Sequence, residues 1–329
     1  MFPEADPDLS NDSVLNFMIS RNIRGRFARI DKSLNDVLAQ HNYPESVSYL
    51  IAEAILIGVM IGQAIKLRWK LSLQIRGSGS LKLIAVDYFS PTDGERSASI
   101  RAYAKFDTNM TKKSETLAFQ LLGKGFFAVL IDQGEGSEPY QGITPLTGSS
   151  LASCAETYFK QSEQLSTTFK IIVGQSTSTG NSATWMGGGI MLQQLPSMKK
   201  LETSFEEESL DTEFLKSNLA KEKVDNDHEN WSRANILMNT IEELELIGPL
   251  STPSEILHRL FHQESLIIFE SQKLGFGCTC SLEKVKKALS IYSSKDIKSM
   301  TTEDGNVTVD CQFCGQHYEL APNKLGFEV

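Results

Sequence analysis

Along the first two hundred residues the apolar positions recur at two periods. Leu71, Leu73 and Ile75 alternate with polar neighbours, Gly77-Ser78-Gly79 turns the chain, and Leu81, Leu83 and Ala85 return, which predicts a β-hairpin. Runs over 98–104, 126–131, 169–173 and 189–195 predict further strands. Helical spacing covers 34–39 and 47–67, broken by Tyr43-Pro44, and again 151–164 behind Ser149-Ser150, either of which can cap it. Several strands in succession with helices set among them predict an α+β core rather than regular βαβ units. The most apolar window, 54–62 between Glu53 and Gln63, is too short to cross a bilayer, which takes about 20 residues. It predicts a buried helix and no membrane partner.

After Pro196 the pattern changes. The stretch 199–230 is highly charged, with Phe205 and Phe214 as its aromatics, and its composition predicts that part of it stays mobile. Trp231, Ala234, Leu237, Met238, Ile241, Leu244 and Ile247 then follow helical spacing up to Gly248-Pro249, and a second helix covers 253–263 with Ile256, Leu257 and Leu260. The chain therefore divides into a core over 1–197, a helical linker over 198–274 and a small C-terminal module over 275–329. The linker's apolar face must rest on another surface, though it need not do so permanently.

Charge changes the picture little except in the linker. Of the chain's net charge of −9, most resides in 203–230, which holds nine acidic residues and three lysines. A near-neutral body with an acidic insert is a poor match for a phosphate backbone, so no nucleic acid is expected as partner. The N-terminal twenty residues are acidic and lack the basic and apolar regions of a secretory signal, which points to a cytoplasmic, reducing location.

Cysteine spacing carries the chemistry. Cys278-Thr279-Cys280 and Cys311-Gln312-Phe313-Cys314 form two tight pairs separated by thirty residues, the arrangement that brings four thiolates onto one tetrahedral ion. Such a closed site holds one structural Zn²⁺ and leaves no position for water or substrate. In a reducing compartment stable disulfides are disfavoured, which adds to the case for metal. Ser281 can cap a helix carrying Lys284, Lys286 and Lys287 beyond Cys280, whose charge would favour the thiolates. Gly315 suits a tight zinc knuckle and 317–320 a return strand. A module of this size has too small a core to be stable without a staple. Structural zinc contributes about 10–16 kcal/mol, whereas whole domains are stable by only about 5–15 kcal/mol. Losing the metal should therefore unfold the module. An oxidant that pairs neighbours in sequence gives Cys278–Cys280 and Cys311–Cys314, and disulfide sulfur ligates zinc poorly.

Other motifs carry less. Cys154 reads as a small buried residue, His258 and His262 as linker-surface histidines without the glutamate of a His-Glu-x-x-His site, and His317 as a neighbour of the metal rather than a ligand. Gly123-Lys124-Gly125 precedes a strand rather than a helix, so it is no dinucleotide fingerprint. A thiol-disulfide oxidoreductase using Cys311 and Cys314 is the alternative function, but it leaves Cys278 and Cys280 unexplained.

The cysteine segments Gly277-Cys278-Thr279-Cys280-Ser281 and Cys311-Gln312-Phe313-Cys314-Gly315 resemble the bacterial redox-regulated heat shock protein 33 family of chaperones. So do Ile23-Arg24-Gly25-Arg26, His41-Asn42-Tyr43-Pro44, Tyr140-Gln141-Gly142, Tyr158-Phe159 with Ser162-Glu163-Gln164, Gly187-Gly188-Gly189 and Arg259-Leu260-Phe261-His262, in the family's order over about residues 20–322. The resemblance implies an ATP-independent holdase rather than an enzyme, inactive and monomeric when reduced and zinc-bound. Oxidised, it would lose zinc, unfold linker and module, dimerise and bind unfolding client proteins. It implies ligand and sensor roles for Cys278, Cys280, Cys311 and Cys314. The linker is longer than the family's usual one, and the surplus coincides with the acidic insert.

Overall fold

A computed structural model describes residues 11–20, 22–91, 97–108, 117–177, 183–195 and 228–325. Most of the acidic insert, 203–227, and the termini 1–10 and 326–329 lie outside the described residues.

The architecture is α+β, as the pattern of strands and helices predicts. Its strands are β1 Ser13–Ile19, β2 Ile23–Ile30, β3 Lys70–Gly77, β4 Leu81–Phe89, β5 Ser97–Phe106, β6 Gly125–Asp132, β7 Tyr140–Pro145, β8 Thr167–Ser176, β9 Thr184–Gln194, β10 Leu266–Ile268 and β11 Gln272–Phe276. They form one sheet in the order β7-β6-β3-β4-β5-β11-β1-β2-β9-β8, with β10 beside β1. Every pairing is antiparallel except that of β11 with β5.

One face of the sheet packs on α1 Lys32–Leu38, α2 Glu45–Ala64 and α3 Leu151–Tyr158. α2 is a 20-residue helix whose apolar side chains cover its whole circumference, because it runs through the middle of the core. By length and composition it could span a bilayer, but 89% of its most apolar window is buried in the fold. α3 ends at Tyr158 in a wide π turn, Phe159–Glu163, which the left-handed Gln164 (φ 55°) closes, so the predicted helix over 151–164 is shorter and unwinds at its end.

The opposite face carries a second core. Leu15, Phe17, Ile19, Ile23, Phe27, Ile190 and Leu192 meet Ala234, Met238, Ile241, Leu246, Ile256, Leu257, Leu260 and Phe261. The latter come from α4 (228–239), α5 Glu243–Ile247 and α6 Pro253–Phe261. This sheet face is where the linker's apolar stripe rests. The single helix expected over 231–247 breaks into α4 and α5. Lys170 donates to the carbonyls of Asn239 (2.9 Å) and Ile241, and a capping box between Glu242 and Glu245 starts the new helix. Buried Arg29 donates to the carbonyls of Leu246 (3.1 Å), Ser251 (3.0 Å) and Glu245 (2.6 Å), so a sheet cation holds the C-terminal end of α5. A Cβ on Gly188 would stand 2.1 Å from the Leu246 carbonyl oxygen, so only glycine lets α5 lie this close.

The region between the acidic insert and the cysteines also contributes two strands, β10 and β11, where the sequence pattern shows helices alone. Three and five residues long, they are too short for periodicity to reveal.

Candidate metal centre

The chain leaves the sheet at Phe276, and the Gly277 N–H donates to the Ile100 carbonyl at 3.0 Å. Cys278 is the next residue, so its position is set by the sheet. Beyond it lie α7 Leu282–Leu289, α8 Ser294–Ser299 and a hairpin of β12 Val307–Asp310 with β13 His317–Leu320. The module's own core is small: Leu289, Ile297, Val307, Leu320 and Leu325.

The sulfurs of Cys278, Cys280, Cys311 and Cys314 all lie within 4.8 Å of one another, and all four cysteines are unbridged and partly buried. Sulfur separations are 3.6 Å for Cys278–Cys311 and 3.5 Å for Cys280–Cys314. A tetrahedral ion with metal–sulfur bonds of about 2.3 Å needs sulfur–sulfur edges of about 3.8 Å. The arrangement fits, and these four residues could hold a metal ion with every coordination position filled by sulfur.

The loops supply the donors that such a charged cluster requires. Backbone N–H groups of Cys280 point at Cys278, those of Phe313 and Cys314 at Cys311, and that of Gln316 at Cys314. Gly315, at φ 66°, makes the turn that aims them, and its N–H closes onto the Cys311 carbonyl at 2.8 Å. The Tyr318 hydroxyl donates to Cys280 at 3.1 Å. Burial pushes Cys311 up and, with its neighbouring thiols, raises Cys314 to about 12. At Cys278 burial acts in the same direction, but the Cys280 N–H and the Arg101 guanidinium outweigh it and bring the thiol down to about 7.

Arg101 is the residue that sequence reasoning missed. It stands on β5, 177 positions from Cys278, and reaches its sulfur at 3.6 Å and the Thr279 hydroxyl at 3.2 Å. Asp87 anchors it through two bonds of 2.6 and 2.8 Å, at 14% and 9% side-chain exposure. It serves from a core strand, and no local pattern marks it. Lys284 donates to the Thr279 carbonyl at 2.5 Å, while Lys286 and Lys287 are exposed.

The remaining candidates take ordinary roles. His317 bonds Asp310 (2.6 Å) and Glu319 across the hairpin rather than any sulfur. Cys154 is buried and donates its S–H to the Thr147 carbonyl at 3.2 Å. His262 bonds the Arg259 carbonyl within its own helix turn, and His258 is exposed on α6.

A family model described as Hsp33 protein matches residues 12–321. A relative from Caulobacter vibrioides called 33 kDa chaperonin is 31% identical over 323 residues, covering 96% of this chain and 97% of that protein. Proteins of the same name from Serratia proteamaculans and Proteus mirabilis are 29% and 27% identical, each covering more than nine-tenths of both chains. The crystal structure of the 33 kDa chaperonin (heat shock protein 33 homolog) from Thermotoga maritima superposes with a TM-score of 0.69 at 18% identity, over 95% of this chain and 96% of that one, which is a likeness of fold. A match across nearly the whole described chain, together with full-length relatives above 30% identity, places this chain in the Hsp33 protein family.

Proposed function

We propose that this protein is a redox-regulated, ATP-independent chaperone that holds unfolding proteins in the cytoplasm during oxidative stress. The observation that carries this reading is the cluster of four sulfurs within 4.8 Å at the end of a sheet strand. Relatives named 33 kDa chaperonin across the whole length support it.

In the reduced state Cys278, Cys280, Cys311 and Cys314 hold one Zn²⁺, which supplies a cross-link between two loops and no reaction. The core over 1–197 and the linker over 198–274 stay packed together, and the module over 275–329 stays folded. Under oxidant, Cys278 pairs with Cys280 and Cys311 with Cys314. Each pair gives up two electrons, and hypochlorite leaves as chloride and hydroxide. The oxidised sulfurs no longer hold the ion, and the module's five-residue core is too small to keep it folded alone. The linker helices then leave the sheet, exposing the apolar face under α4 and α5 to clients, and the protein dimerises. It acts by binding rather than by catalysis.

The test measures zinc content and suppression of a model client's aggregation, before and after hypochlorite. One equivalent of zinc with no suppression is expected when reduced, and zinc release with suppression when oxidised. Suppression independent of zinc release sinks the switch. Insulin reduction by the purified protein would instead favour an oxidoreductase using Cys311 and Cys314.

A further inference from the structure

Strand β11 holds a singular place in the sheet. In the described residues β5 and β1 form no ladder with each other, and each pairs with β11. Lys273, Leu274, Gly275 and Phe276 run parallel to Ser97, Ala98, Ser99 and Ile100, while Gln272 and Lys273 oppose Val14 and Ser13. β11 therefore joins two antiparallel half-sheets, β7-β6-β3-β4-β5 on one side and β1-β2-β9-β8 on the other.

Its own hold is slight. Leu274 is its one buried residue, at 6% exposure, and its N–H donates to the Asp12 carbonyl at 2.9 Å. One residue past its end the Gly277 N–H meets Ile100, and the next residue is Cys278. Unfolding that starts at the four cysteines reaches β11 before any other strand of the large sheet. Its departure frees the N–H and C=O groups along Ser97–Ile100 of β5 and at Ser13 and Val14 of β1, whose Phe17–Ile19 still pairs with β10, and such edges are templates for another strand. The gap does not depend on β11 for its shape. Val14 of β1 and Ala98, Ile100 and Ala102 of β5 share one core with α2, which packs on both half-sheets.

We propose that the slot between β5 and β1, once β11 withdraws, is a docking site for extended segments of unfolding polypeptide. This rests on the redox-chaperone reading above and adds a second partner surface to the apolar face under α4 and α5. The present occupant shows what the slot asks for. In Gln272–Phe276 one side chain is buried and its neighbours along the strand are half-exposed or exposed, so a main-chain ladder plus an apolar residue suffices. Recognition through backbone groups makes almost no demand on sequence, but it does require an extended, unpaired stretch of chain. Unfolding proteins supply that stretch and folded ones do not, so the slot sorts partners by conformation.

Amide hydrogen exchange on the full-length protein tests this. Samples are reduced and zinc-loaded, hypochlorite-oxidised, and oxidised with chemically unfolded citrate synthase, with light scattering read from the same mixtures. Oxidation should speed exchange in peptides covering 12–15, 97–103 and 272–277 by about tenfold or more. Client should restore protection to the first two and leave 272–277 open. The proposal is overturned if β5 stays protected on oxidation, or if scattering falls while 97–103 stays open. It is equally overturned if 272–277 regains protection without client and with rising protein concentration, because a second copy's β11 then fills the slot. If scattering does not fall in any sample, the chaperone reading itself fails.

Discussion

The guanidinium of Arg101 lies 4.0 Å from the centre of the Phe313 ring, and Phe313 sits inside the second cysteine pair. On another side the same cation approaches Phe89 at 5.1 Å, and Asp87 and Ser72 complete a buried chain of polar contacts behind it. Tyr103 meets Phe313 edge-on at 4.9 Å, and His41 bonds the Gln312 carbonyl at 2.7 Å. The cysteine module is thus seated on the core by Arg101, which also touches the Cys278 sulfur, and by Tyr103 and His41.

Arg101→Met removes the cation and leaves the Asp87 carboxylate nearly buried with Ser72 as its partner. Breaking such a pair from one side costs about 3–5 kcal/mol. A lower urea midpoint is expected for the reduced protein, partly recovered in the double variant with Asp87→Asn. A loss below about 1 kcal/mol would place this pair among the energetically minor surface ion pairs.

Removing metal from the reduced protein with a strong chelator should unfold residues 278–325 and spare β1–β9. Limited proteolysis should cut within the module while a fragment carrying β1–β9 survives. A metal-free, reduced protein as resistant as the loaded one would contradict the staple argument, since structural metal of this kind is worth about 10–16 kcal/mol.

Linker docking depends on the close approach at Gly188. Gly188→Ala puts a methyl group against the Leu246 carbonyl, so α5 must lift from the sheet and weaken its bonds to Arg29. Leu237→Asp with Ile241→Asp places charge in the second core by another route, since Ile241 is 2% exposed and Leu237 packs on that cluster. Both variants should suppress client aggregation partially without oxidant, with zinc still bound. Full retention of the inactive state in both would show that the linker does not cover the client surface.

Glu53, 5% exposed on α2, accepts the Ala152 N–H at 3.0 Å at the start of α3. Burial raises its carboxyl above the usual 4.5, and the Ala152 and Leu151 N–H groups only partly offset this. A raised folded value means that its contribution is full below the unfolded value of 4.5 and is lost as pH rises through the folded one. Glu53→Gln keeps the acceptor and removes the titration. Its urea midpoint relative to wild type should therefore climb between pH 4 and 8, and a constant difference would refute the assignment.

Cysteine spacing, the buried helix and the amphipathic linker were all legible in the sequence because each is a local pattern. Cys278, Cys280, Cys311 and Cys314 do converge, and Ala234, Met238, Ile241, Ile256 and Leu260 do face one surface. What stayed hidden is non-local. β11, Gln-Lys-Leu-Gly-Phe, offers one buried side chain and pairs in parallel with a strand some 175 residues earlier in the chain. Arg101 looks like any exposed arginine on an alternating strand until the module folds over it. The split between α4 and α5 is set by Lys170, again a residue from another element.

Arg29 grips α5 and the turn that follows it through three main-chain oxygens, two in the helix and one at Ser251, rather than through side chains. Any residue presents a carbonyl, so the segment it fastens is free to change its side chains without slipping its moorings. An extra acidic stretch added upstream of α4 leaves those oxygens untouched. Length and composition can therefore drift in the connector while its anchor point stays where it is.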